Sequence, residues 1–429
     1  MQTRRPWQEE LDLIDRLMRD VSDINDPDQL VQKYWDGVHD LFPVEHYLSL
    51  SRRGVEPPEF LVTRSSRFTE HFNPWTQRER LPRLTGGLLG EVVYADKPLV
   101  IDDIPARLSK DDPGYFYLQG FQSLIALPHY ENGKGLNVGV SLFEPGVEFD
   151  HAMVPMMHWQ AGLFGRGTQS LVLRNQLSAA LQALDRELQV VAQIQRSLLP
   201  ASLPEIPGFE IDTFYQTSSK AGGDYYDFFP LHDGGWGIFI ADVSGHGTPA
   251  AVLMAITHAI AHTRPGSPTP PGELLAHLNH HLAKSYTASG SFVTAFYATL
   301  DTRTRELTYA TAGHNPPRLL RGDRIIALDD GGGLPLGILT EQTYTDARIA
   351  IAPGDSLVLY TDGITEAMAP ESVSGTRELF GVERLDEIIR SARGRDMATL
   401  VRQIRDATTA HTRRTPPTDD QTLVAIRCL

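Results

Sequence analysis

The chain has 429 residues, 41% hydrophobic and 22% charged, a globular composition long enough for two or three domains. Its 39 basic and 54 acidic residues leave a net charge of −15, which argues against nonspecific nucleic-acid binding. The single cysteine, Cys428, excludes an internal disulfide and a cysteine nucleophile. Met1 is followed by no apolar leader core, and Thr248–His262 is too short and too interrupted by histidines to span a bilayer. A soluble cytoplasmic protein is the expectation.

Residues 8–165 read as a mixed α/β domain. Leu11, Ile14, Leu17, Met18 and Val21 recur at helical spacing, and Leu30, Tyr34, Val38 and Leu41 begin a second helix. Short strands are predicted at His46–Ser51, Phe60–Thr63, Pro98–Ile101, Ser123–Pro128 and Gly139–Phe143. The run Gly86–Val93 followed by Pro98–Ile104, and the closing hairpin around Asn132–Lys134, resemble a GAF sensor domain. That family's bilin-binding members use a cysteine, so the resemblance implies a sensor without a covalent chromophore.

Residues 166–199 contain no proline and no glycine after Gly167. Leu177, Leu181, Leu184, Leu188 and Val191 alternate steps of four and three, the seam of a coiled coil. Ile194 continues it after a second successive step of three, a stammer that overwinds the coil. A parallel dimeric linker is expected here, against the alternative of a helix packed on its own domain. It ends in a break at Pro200, Pro204 and Pro207.

The remainder, 200–429, has the length of one domain. Strands are predicted at Tyr225–Pro230, Gly235–Ala241, Phe292–Leu300, Leu307–Thr311, Arg318–Leu320, Arg324–Leu328, Ser356–Tyr360 and Thr422–Cys428. Helices are predicted at Pro249–His262, Pro271–Tyr286, Val382–Ser391 and Met397–Thr409. Hairpins separate these strands more often than helices do. The fold class is therefore α/β of the α+β kind, layered, with mostly antiparallel strands.

Four acidic clusters sit at strand ends: Gly222–Asp227, Ala241–Gly247, Tyr360–Gly363 and Asp419–Thr422. A two-residue turn at Asp233-Gly234 would pair Tyr225 with Asp242, delivering Asp224 and Asp242 to one open hairpin end. If Ser356–Tyr360 and Thr422–Cys428 are antiparallel neighbours, Asp362 and Asp419 or Asp420 also meet at one end. Grouped carboxylates repel, and divalent cations offset that charge. All-oxygen ligands favour Mg²⁺ or Mn²⁺ over Zn²⁺. Singly, each Asp-Gly pair reads more readily as a turn than as a ligand.

Residues 195–429 resemble the bacterial SpoIIE/RsbU branch of the metal-dependent type-2C protein phosphatases. The matching blocks begin with Ile194-Gln195…Leu198-Leu199-Pro200, Gly222–Asp227 and Asp242–Gly247. They continue with Ala312–Pro317, Leu336-Gly337, Tyr360–Glu366 and Asp419–Thr422. The resemblance implies a β-sandwich flanked by helices and a centre of two Mn²⁺ or Mg²⁺ ions. Asp242 matches the bridging ligand, with the Val243 carbonyl beside it; Asp224 matches a ligand of one ion, and Asp362 and Asp419 ligands of the other. Asp420 competes with Asp419, and Asp227 would support the shell.

It implies hydrolysis of phosphoserine or phosphothreonine by water that the cations activate. The partner implied is a phosphorylated anti-anti-sigma (STAS) protein. His246 and His314 lie in Gly-flanked turns, where backbone hydrogen bonding is the stronger reading; Arg318, Arg321 and Arg324 read as a solvated hairpin face. Gly-Gly-Asp also occurs in nucleotide cyclases, and a catalytically silent GAF sensor or scaffold is a third reading.

Overall fold

The computed structural model describes residues 6–42, 44–147, 149–263, 269–287, 290–370 and 378–429. The chain divides into two compact units, Met1–Leu181 and Gln182–Leu429.

The first unit opens with helices α1 (Trp7–Ser22) and α2 (Pro27–Leu41). Its sheet comprises β1 (His46–Ser51), β2 (Glu59–Ser65), β3 (Arg83–Thr85), β4 (Leu99–Ile101), β5 (Ser123–Glu131) and β6 (Lys134–Phe143). These pair in the order β3-β2-β1-β6-β5-β4, and every pairing is antiparallel. Alternation along the strands sends side chains to two cores. Leu124 and Ala126 pack with Leu89 and Val92 of α3 (Gly87–Tyr94), near the short α4 (Tyr115–Leu118). Ile125 and Leu127 instead face Tyr34 and Trp35 of α2 and Met157 and Ala161 of α5 (Val154–Arg196). The β5–β6 turn is the two-residue Asn132-Gly133, both at positive φ, as the Asn-Gly pair favours.

Helix α5 is one unbroken element of 43 residues. The helix predicted from residue 166 thus begins a dozen residues earlier, because Val154, Met157 and Ala161 first anchor it on the sheet.

The second unit is a sandwich of two five-stranded sheets. One contains β8 (Tyr225–Pro230), β9 (Trp236–Val243), β10 (Val293–Asp301), β11 (Glu306–Ala312) and β14 (Ala347–Ala350), in the order β14-β11-β10-β9-β8. The other contains β7 (Phe209–Gln216), β12 (Arg318–Arg321), β13 (Arg324–Ala327), β15 (Ser356–Tyr360) and β16 (Gln421–Cys428), in the order β13-β12-β15-β16-β7. Phe228, Ile240 and Phe296 of the first sheet meet Leu357, Val424 and Ile426 of the second in the shared core. Phe239, Ala295 and Tyr297 point the other way, onto α6 (Thr248–His262) and α7 (Pro271–Ser285). The outer face of the second sheet, through Val358, Tyr360 and Leu423, packs on α9 (Gly381–Ser391) and α10 (Met397–His411). A single turn, α8 (Asp362–Thr365), follows β15. Helix, sheet, sheet, helix is the layering that the alternating strands required.

Candidate metal centre

The hairpin that carries Asp224 and Asp242 differs by one residue from its predicted register. Tyr225 pairs with Ala241 and Pro230 with Trp236. The Leu231 N–H donates to Gly235 at 2.9 Å, which closes a three-residue loop instead of a two-residue turn. Gly234 takes φ +81° there, the left-handed conformation such loops need. The correction helps the site: continuing this register sets Asp224 directly opposite Asp242.

On the second sheet, β15 and β16 are antiparallel neighbours, with Tyr360 opposite Leu423. Asp362 opens α8 just beyond β15, and Asp419 lies just ahead of β16. The two sheet ends meet at Asp224. Its Oδ2 accepts hydrogen bonds from Thr361 at 2.7 Å and Thr422 at 2.6 Å, both from the opposite sheet. The Thr422 N–H in turn donates to the Thr361 hydroxyl at 2.9 Å. Neither threonine was assigned a role from sequence, although both stand inside the matched blocks; a hydroxyl beside an aspartate carries no signal without its partner across the sandwich.

Close approach, rather than turn conformation, explains three of the glycines. A Cβ on Gly363 would lie 1.9 Å from the Asp420 carbonyl, one on Gly222 2.4 Å from Asp420 Oδ2, and one on Gly223 2.8 Å from the Val243 carbonyl. None of the three has positive φ among the described residues. The glycines let the loops touch.

Asp419 and Asp420 separate clearly. Asp420 is buried, and both its oxygens are occupied: Oδ1 by the Ser218 N–H at 2.7 Å, Oδ2 by the Gly223 N–H at 2.6 Å. Asp419 is half-buried, accepts from the Asp420 N–H at 2.8 Å, and faces Asp362, Asp242 and His246.

The carboxylates strain against one another. Burial, first, pushes Asp224 up to about 8, with Asp420 and Asp362 adding to the effect and the two threonine hydroxyls opposing it. Burial and then Asp224, Asp362 and Asp419 push Asp242 up to about 10. Asp362 rises to about 6 through burial, Asp419 and Glu366, while Asp419 is also raised by burial. Asp224 is 1% exposed, yet its Oδ1 has no hydrogen-bond partner. A buried oxygen without a donor, among carboxylates that raise one another's pKa, fits an oxygen-liganded divalent cation. Among the described residues, no three of the aspartates bring oxygens within 4.8 Å of one another; the set that does is Asp227, His258 and His262.

Asp227 therefore does not support this centre. It bonds Tyr225 and His262 on the outer face of the same sheet. His314 is buried, with Nδ1 2.9 Å from the Thr294 hydroxyl, and burial lowers its pKa to about 4. Burial thus favours its neutral form, and its Nε2 is buried without a hydrogen-bond partner. His246 is exposed beside Asp419. Arg318 departs from the expected solvated face, being largely buried in a two-point ion pair with Asp386, whereas Arg321, paired with Asp355, is 41% exposed and Arg324 is exposed.

The sequence model described as Stage II sporulation protein E (SpoIIE) matches residues 232–429. Protein IcfG of Synechocystis sp. is 28% identical over 255 residues, covering 52% of this chain and 39% of that protein. Phosphoserine phosphatase RsbU of Bacillus subtilis is 31% identical over 186 residues, covering 43% of this chain and 55% of RsbU. The chain thus spans about half, or less, of the length of these relatives. The SiaA-PP2C domain of Pseudomonas aeruginosa superposes with a TM-score of 0.51 at 23% identity, covering 58% of this chain and 99% of that domain. The C-terminal part of this chain is thus similar to SpoIIE-family domains over residues 232–429 and has the PP2C-type fold.

Proposed function

We propose that this chain is a regulated, metal-dependent protein serine/threonine phosphatase. The observation that carries the reading is the unpartnered, buried Asp224 Oδ1 at the point where both sheets deliver aspartates. Asp224, Asp242, the Val243 carbonyl, Asp362 and Asp419 would hold two Mn²⁺ or Mg²⁺ ions. Such ions, when bound, neutralise phosphoryl charge and make water a competent nucleophile near neutral pH. The chain's own part is positioning: Thr361 and Thr422 fix Asp224, and Asp420 clamps the Ser218–Gly223 loop so that Asp419 remains available. Of the two candidates, Asp419 is the ligand this geometry favours.

The substrate proposed is a phosphoserine or phosphothreonine protein of the STAS, anti-anti-sigma kind, by analogy with RsbU-type relatives. The first unit is proposed as a GAF-like input domain; its six antiparallel strands with helices on both faces agree with that reading. Leu177, Leu181 and Leu184 are 61%, 57% and 52% exposed on α5, which supports a homodimer through that helix. No helix among the described residues is long and apolar enough to cross a membrane, and a cytoplasmic setting is proposed.

The test is hydrolysis of a phosphorylated STAS protein by the full chain with and without Mn²⁺. Asp242→Asn and Asp362→Asn should each abolish Mn²⁺-dependent turnover while circular dichroism stays unchanged. Undiminished turnover in both variants overturns the proposal.

A further inference from the structure

Strand β8 is flanked by two carboxylates with different surroundings. Asp224 precedes it at the acidic centre, whereas Asp227, its third residue, is engaged by α6. Asp227 Oδ1 accepts the Phe228 N–H at 2.8 Å. Its Oδ2 accepts the Tyr225 hydroxyl at 2.6 Å and lies 2.8 Å from His262 Nε2 and 3.8 Å from His258 Nδ1. The two histidines are one helical turn apart, so their rings share a face, with centroids 4.2 Å from each other. The ligand atoms of all three residues lie within 4.8 Å of one another.

We propose that Asp227, His258 and His262 form a cation site of their own, selective for a borderline transition-metal ion such as Zn²⁺. Two imidazoles and one carboxylate suit Zn²⁺, Co²⁺, Ni²⁺ or Cu²⁺, whereas an all-oxygen set suits Mg²⁺ and Mn²⁺. The chain therefore carries two donor sets with opposite preferences. Bonds of roughly 2.0–2.2 Å to a tetrahedral ion set ligand atoms about 3.3–3.6 Å apart, so the Asp227–His262 contact of 2.8 Å opens slightly and the Asp227–His258 contact of 3.8 Å closes slightly. Tyr225 is the positioning residue: its hydroxyl donates to Asp227 Oδ2 at 2.6 Å and fixes the carboxylate. His258 Nδ1 also lies 3.1 Å from the Tyr225 hydroxyl, a contact that an ion on Nδ1 would replace. The His262 side chain is 46% exposed, so an ion can enter from solvent and water can complete its shell.

The site would tie β8 to the far end of α6. Strand and helix both start beside the acidic centre, and His262 ends the helix roughly 20 Å along from Thr248. A second spaced pair, His277 and His281 on α7, has ring centroids 4.6 Å apart, but no carboxylate completes a set of three there among the described residues.

The test measures Zn²⁺ binding to the full chain by competition with a chromophoric chelator under saturating Mg²⁺, and Co²⁺ binding by visible absorption. One Zn²⁺ equivalent should persist in Asp242→Asn and in the His277→Gln/His281→Gln double variant. His262→Gln and His258→Gln should each weaken it at least tenfold and remove the corresponding Co²⁺ band. Because His262 is half-exposed, its variant should keep the wild-type circular dichroism. Zn²⁺ affinity within twofold of wild type in both His258→Gln and His262→Gln overturns the proposal. Loss of the equivalent in the α7 double variant overturns it as well.

Discussion

Thr361 and Asp224 are 137 positions apart in the chain, and the Thr361 hydroxyl donates to Asp224 Oδ2 at 2.7 Å. That bond joins the ends of two sheets and leaves the other oxygen of Asp224 without a donor. A hydrogen bond to a charged group contributes about 1.5–3 kcal/mol, so Thr361→Val should weaken Mn²⁺ binding by roughly ten- to a hundredfold. Calorimetric titration of the metal-free chain reads this directly. Unchanged affinity would remove Thr361 from the positioning role.

Asp419 and Asp420 should part company when tested for two properties. Asp419→Asn should cut Mn²⁺ affinity at least tenfold and leave the metal-free melting temperature equal or higher, since a mutually repelling carboxylate is gone. Asp420→Ala should cost about 1–3 kcal/mol of stability, because the Ser218 and Gly223 N–H groups lose their acceptor. Denaturant melts and Mn²⁺ titrations on both variants check the pair. The reverse pattern would exchange their roles.

Gly363→Ala brings a methyl group to 1.9 Å from the Asp420 carbonyl, and no side-chain rotation relieves a clash with backbone. A loss of at least about 1–3 kcal/mol is expected, together with weaker Mn²⁺ binding as Asp362 and Asp419 are pushed apart. Gly322→Ala is the contrast, since open space surrounds that glycine. Its φ of +59° should nevertheless cost about 1 kcal/mol without touching Mn²⁺ affinity.

The metal-free chain should lose stability as pH rises above neutral. Asp224 and Asp242 have folded pKa values raised to about 8 and about 10, so the folded state holds protons that the unfolded chain has already released. Their contribution is complete below the ordinary aspartate pKa and is lost as pH climbs through the raised values. Below about pH 6.5, buried His129 and His314, both lowered to about 4, act in the opposite sense. The clean window is therefore pH 7–9, by urea melts in chelator. Asp242→Asn should flatten the fall there, and an identical slope in that variant would contradict the assignment.

The exposed leucines of α5 give a fifth test. Leu177→Asp with Leu184→Asp should convert a dimer into a monomer by light scattering, with helicity retained. A wild-type chain that is monomeric at working concentration removes the coiled-coil reading.

Much of the second unit was legible because its strands alternate cleanly between flanking turn residues. Tyr225–Pro230 and Ser356–Tyr360 were placed to the residue. Strand β7 escaped because it is an edge strand with mostly half-buried residues on both faces, and β14 because its four residues pair with the distant β11, without the adjacent Gly-Asp turn that marks the equally short β12 and β13. The hairpin register slipped by one because Asp233-Gly234 has the composition of a two-residue turn, while the third loop residue, His232, carries no such mark. The convergence of Asp224 and Asp242 was readable from the hairpin alone. What joins that hairpin to Asp362 is Thr361 and Thr422, and contact across a sandwich leaves no trace in local spacing. His258 and His262 were visible only as interruptions in an apolar run; their step of four on a predicted helix was the available signal.

Gln195, in the last turn of α5, is buried and bonds the backbone of a single residue from both sides. Its Oε1 accepts the Gly222 N–H at 2.9 Å, and its Nε2 donates to the Gly222 carbonyl. Gly222 stands two residues before Asp224. A helix of 43 residues is about 65 Å long and stiff along its axis. A quarter-turn about that axis, or a slip of one residue, would swing the amide away and break both bonds at once. Gln195 thus ties the last turn of α5 to the loop that carries Asp224, and the pair of bonds accepts only one rotational setting of that turn.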